Sequence, residues 1–186
     1  MVSLTALWLP ILVATVLVFL ASWIMHTVLP LHHNDFDKLP NEESFLADSR
    51  AAGWRPGQYA FPRPDDPKDW MNEEFQAKAN QGPMGIVFVG PGMDGMGKQL
   101  GQHFAYCLFI SVFAAYIGAE TLAAGTEYMQ VFQVTGAVAF AAYGLAHVSH
   151  AIWWMHSWSS TGKYLLDALV YGLLTAGAFG WLWPGA

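Results

Sequence analysis

Residues 4–25 read LTALWLPILVATVLVFLASWIM, an uncharged run long enough to cross about 30 Å of hydrocarbon. No Lys or Arg precedes it and no small-residue cleavage site closes it, so it reads as a retained first span, not a signal peptide. Pro10 falls near its start, where a proline disturbs a helix least.

Three more stretches have spanning length: residues 103–124, 128–156 and 164–183. They carry few charges, chiefly Glu120 in the first and Asp167 in the last. The fold class expected is all-α: four transmembrane helices in a bundle, with a long, partly helical loop between helices 1 and 2. The segments are 1–26 for the first helix, 27–98 for the loop and 99–186 for the other three. Small residues recur every fourth position, at Ala168, Gly172, Ala176 and Gly180 and at Ser111, Ala115 and Ala119. Such stripes let helix backbones approach closely in lipid.

Composition agrees. Of 186 residues 54% are hydrophobic and 12% charged, against about 25% charged in an ordinary soluble domain. A net charge of −6 argues against a nucleic-acid binder, which would want a basic face. The single cysteine, Cys107, excludes an internal disulfide framework.

Seven of the eight Lys and Arg lie between helices 1 and 2, and the eighth is Lys163. By the positive-inside rule the long loop is cytoplasmic and both termini are periplasmic. Within the loop, Asn41 is placed to cap a helix over EESFLADSRAA that Gly53 ends. Asp66-Pro67 starts a second helix running through Lys78 to a stop at Gly82, and the QYAFPRPDDP between them is extended. The loop's aromatic residues imply burial against the membrane or a partner.

The stretch Gly92-Met93-Asp94-Gly95-Met96-Gly97-Lys98, after the strand-like Ile86-Val87-Phe88-Val89, has the outline of a phosphate-binding loop. Gln99 stands where a hydroxyl should meet Mg²⁺, and one strand leaves no room for a parallel sheet, so nucleotide binding is not expected.

Histidines carry the chemical signal. His26 closes the first helix, His103 opens the second, His147, His150 and His156 end the third, and Asp167 opens the fourth; alternating helices bring them, with His32 and His33, toward one face. Hairpin counting sets Asp167 level with His150, and His147 and His150 share a helix face. Ionisable groups inside a membrane helix face the protein interior with a partner. His147, His150, His103 and Asp167 are therefore candidate cofactor-binding residues, and His26, His32 and His33 candidate metal ligands. The cofactor classes are haem, bacteriochlorophyll or a metal ion; proton relay and a plain interhelical hydrogen bond are the alternatives. Tryptophans at 8, 23, 153, 154, 158, 181 and 183 fit aromatic belts at both interfaces.

Ala146-His147-Val148-Ser149-His150-Ala151-Ile152-Trp153-Trp154 resembles the Ala-x-x-x-His pigment segment of bacterial light-harvesting polypeptides, which implies a pigment at His150. His33-Asn34-Asp35-Phe36-Asp37-Lys38-Leu39-Pro40-Asn41-Glu42, Ala146-His147-Val148 with Ser157-Trp158-Ser159, and Phe179-Gly180-Trp181-Leu182-Trp183-Pro184 resemble a family of small bacterial membrane proteins. That resemblance implies a bacterial inner-membrane location and transfers no activity. The leading expectation is a non-catalytic accessory subunit of a larger membrane complex of energy conversion, with the lipid bilayer and other membrane subunits as partners. A haem-, pigment- or metal-binding protein is the first alternative, and a small transporter the second.

Overall fold

A computed structural model describes residues 2–92 and 95–185. They divide into two compact units, Met1–Phe36 with Gly95–Ala186, and Asp37–Asp94.

The larger unit is helical. Four helices in it are long and apolar enough to cross a membrane: Leu4–Val28, Gly97–Thr121, Tyr128–Trp153 and Trp158–Trp181. The first opens with a 3₁₀ turn, continues as α1 (Trp8–Trp23), and widens into a π-helical turn, Ile24–Val28. The others are α4 (Gly97–Thr121), α5 (Tyr128–Trp153) and α6 (Trp158–Trp181).

Their contacts follow the small-residue stripes. A Cβ on Gly136 or Gly144 of α5 would stand 2.8 Å from the Cβ of Ala176 or Ala168 on α6, and Gly172 meets the Gly136 carbonyl and Phe140. Backbone therefore lies almost on backbone along α5 and α6, a close approach that gains dispersion contacts over the whole length of the seam. Ser111, Ala115 and Ala119 of α4 are all buried. Trp183 departs from the aromatic-belt expectation: it is buried, its ring packs on Gly118, and its indole N–H donates to the Ala123 carbonyl at 2.9 Å. Trp8, Trp23, Trp153, Trp154, Trp158 and Trp181 are exposed.

The smaller unit adds a short two-stranded sheet to an otherwise helical chain. Besides α2 (Glu42–Ala51) and α3 (Glu73–Gln81) it holds two antiparallel strands, β1 (Gly57–Phe61) and β2 (Gly85–Val89), registered from Gly57 opposite Val89 to Phe61 opposite Gly85. The strand-like run at 86–89 thus pairs with part of the stretch expected to be extended. Asn41 takes φ 54° before α2 and its side chain makes no capping bond. The helix expected from Pro67 through Lys78 is divided. A 3₁₀ turn, Pro67–Met71, stops at the extended Asn72, whose side chain then caps α3 by accepting from the Glu74 N–H at 2.8 Å. The glycine-rich stretch lies partly outside the described residues, at Met93 and Asp94.

Candidate metal centre

Local chain chemistry brings two histidines together. After α1 the π turn carries His26, and Leu29, held extended by the following Pro30, ends the helix. Pro30 then opens a one-turn 3₁₀ helix through His32, which folds back so that the His26 and His32 rings stack at 4.2 Å and 3°. Asp167, buried on α6, faces both: its Oδ2 stands 3.0 Å from His32 Nε2 and 3.6 Å from His26 Nε2.

The other ring nitrogens fix the tautomers. The His26 Nδ1–H donates to the Ser22 carbonyl at 3.0 Å, since a carbonyl can only accept. The His32 Nδ1–H donates to Asp35 Oδ2 at 2.6 Å, and Lys163 Nζ donates to Asp35 Oδ1 at 2.6 Å and to Asn34 Oδ1 at 2.7 Å. Burial alone would raise the Asp35 carboxyl, but the hydrogen bonds and charges of Lys163 and His32 outweigh it and lower it to about 2. Asp35 is therefore an anion, and each imidazole in its neutral form keeps its lone pair on Nε2.

At His32 that lone pair meets a second acceptor. His32 Nε2 and both Asp167 oxygens are buried without a hydrogen bond, although the nitrogen and Oδ2 are only 3.0 Å apart. A proton on Nε2 would lie off the line to Oδ2. A metal ion fits better: bonds of about 2.0–2.2 Å set neighbouring ligand atoms about 3–3.5 Å apart, each off the other's axis. One ligand atom from each of His26, His32 and Asp167 lies within 4.8 Å of the others. Parallel rings point their lone pairs side by side, so to share an ion they must tilt toward each other. His26, with its side chain 41% exposed on the π turn, has room to tilt.

The remaining candidates lie elsewhere. No hydrogen bond or ion pair joins His147 or His150 to Asp167 among the described residues. His147 instead stacks on Tyr164 (4.6 Å, 12°), whose ring also stacks on His32 (5.2 Å), while His150 is exposed between His147 and His156. His103 Nε2 is 2.9 Å from Ser22 Oγ, and His33 is exposed. His26 and His103 line one cleft of about 300 Å³, together with Trp23 and Leu100.

The sequence reading missed Asp35 and Lys163. The signal was present in Lys163, the one Lys or Arg outside 27–98, standing near the start of a largely apolar helix where a charge calls for a partner.

Compared with protein-family models, curated proteins and solved structures, the chain shows no match.

Proposed function

We propose that this chain is a multi-pass membrane protein, a four-helix bundle that binds one divalent first-row transition-metal ion through His26, His32 and Asp167. The observation that carries this reading is the 3.0 Å approach of two buried groups, His32 Nε2 and Asp167 Oδ2, in a geometry that makes no hydrogen bond. Support comes from the outer contacts: Nδ1–H bonds to a carboxylate and to a backbone carbonyl are what hold metal-ligating imidazoles in register. Two imidazoles and one carboxylate suit zinc, iron, manganese or copper more than Ca²⁺ or Mg²⁺, which prefer oxygen alone. Three protein ligands leave a position free for water or a small ligand, as at reactive rather than purely structural sites. The His147–His150 pair, rings at 82° and 6.0 Å apart, offers a tetrapyrrole no comparable set of converging groups.

Calorimetric titration of the detergent-purified, chelator-treated protein with Zn²⁺ tests it. One site per chain is expected, weakened about 100-fold or more in His32→Ala and Asp167→Ala and unchanged in His33→Ala. Absence of binding, or binding indifferent to Asp167, rejects it.

A second reading, that of an accessory subunit in a larger membrane complex, draws on the smaller unit. Trp70, Met71 and Phe88 are exposed there, more apolar surface than so small a unit has reason to leave in water. Co-purification from native membranes in fixed stoichiometry with other subunits would support it, and isolation as a lone species would exclude it.

A further inference from the structure

Hydroxyl groups inside the helical unit fall into two kinds. Thr15, Thr135 and Thr161 are buried, and each donates to the carbonyl four residues back, at 2.7, 2.8 and 2.9 Å. Ser111, Tyr143, Tyr171 and Thr175 are also buried, between 0 and 6% exposed, and none bonds to a protein oxygen or nitrogen, the Tyr143 hydroxyl having only the weakly bonding Cys107 thiol beside it. Ser111 and Thr175 sit in helices, where the same backward bond is open to them, yet they do not make it.

These four groups are not scattered. Asp167, Tyr171 and Thr175 recur at four-residue spacing on one face of α6. The Tyr143 ring of α5 meets Tyr171 edge-on at 5.3 Å, and its hydroxyl lies beside the Cys107 thiol of α4, one turn from Ser111. Asp167 Oδ1, the partner of the oxygen that approaches the histidines, is likewise buried without a hydrogen bond. Both rows turn apolar at their next step: Thr175 gives way to Phe179 and Ser111 to Ala115, members of a buried cluster with Leu7 and Val131.

An unbonded hydroxyl in an apolar interior costs about 1–3 kcal/mol, and bound water is the usual partner where several such groups converge. We infer that Ser111, Tyr143, Tyr171 and Thr175 bind a short chain of water that starts at Asp167 Oδ1 and ends blindly at Phe179. The chain gives the Asp167 carboxylate hydrogen-bonding contact with water inside the protein without opening a path across the four long helices. This inference shares Asp167 with the metal reading, but none of the four hydroxyls is among the proposed metal ligands, so either can fail without the other.

Radiolytic hydroxyl-radical footprinting of the full chain in nanodiscs, read by mass spectrometry, tests it on the unmodified protein, since radicals form from the bound water itself. Tyr143 and Tyr171 should be labelled within about tenfold of the rate of Tyr59, a partly exposed tyrosine of the smaller unit, as expected of side chains in contact with ordered water. Phe179 should stay unlabelled. Protection of both interior tyrosines overturns the inference, and labelling of Phe179 at their rate overturns the blind end. Thermal denaturation supplies an independent sign. If water satisfies these hydroxyls, Thr175→Val and Ser111→Ala lower the melting temperature or leave it unchanged. If the interior is dry, removing an unpaired hydroxyl raises it at both positions, and that result also overturns the inference.

Discussion

At His32 the two ring nitrogens have different fates, and the difference comes from Asp35. That carboxylate fixes the proton on Nδ1 and is itself held by Lys163, so a neutral His32 can offer only a lone pair to Asp167. Asp35→Asn should therefore weaken metal binding by about 10–100-fold although Asp35 touches no metal, as measured in the same Zn²⁺ titration. Lys163→Met leaves a buried carboxylate short of its cation, with Asp35 only 3% exposed, and should cost about 3–5 kcal/mol in unfolding. The depressed Asp35 carboxyl also sets a pH window. Its ordinary value is 3.8 and its folded value about 2, so its contribution to stability is complete above about pH 4 and is lost as pH falls through about 2. Melting temperatures of the metal-free protein between pH 2 and 6 should fall on the acid side, with a smaller fall in Asp35→Asn.

Among the elements, the turn after α1 was the hardest to read in advance. Hairpin counting places Asp167 level with His150, because it tracks depth along helices and knows nothing of a chain that doubles back. Leu29-Pro30 does double back, and it returns His32 to Asp167 from a segment that counting leaves outside. The stripe Ala168, Gly172, Ala176 was legible because four-residue spacing of small side chains has one main use in lipid, and α5 lies against it. Helix ends were less so. The second long helix begins at Gly97, ahead of the apolar run at 103, since polar residues continue a helix once hydrocarbon no longer sets its limit. Enlarging Gly136 tests the close approach. Gly136→Leu would drive a side chain into Ala176, already 2.8 Å from where a Cβ would stand, and should lose about 1–3 kcal/mol in denaturant unfolding in mild detergent.

Over the whole molecule, periodicity and charge distribution were enough to mark four helices able to cross a membrane, since runs of uncharged residues this long have few other solvents. They could not reveal the pairing of β1 with β2, which depends on register between segments some 25 residues apart that carry no hairpin turn signal. Nor could they select among seven histidines. That choice rests on which rings the backbone turns toward Asp167, and it is made by Pro30 and a π turn rather than by spacing. Metal removal should register globally. At a Zn²⁺ concentration 100 times the dissociation constant the bound ion adds about 2.7 kcal/mol, so a chelator should lower the melting temperature of wild-type protein but not of Asp167→Ala.

X-ray absorption at the metal edge of the loaded, purified protein bears on the central claim most directly. Two imidazole nitrogens and at least one oxygen at about 2.0–2.2 Å are expected, with one imidazole lost in His32→Ala. A shell of oxygen or water alone, or one that His32→Ala leaves unaltered, would contradict it.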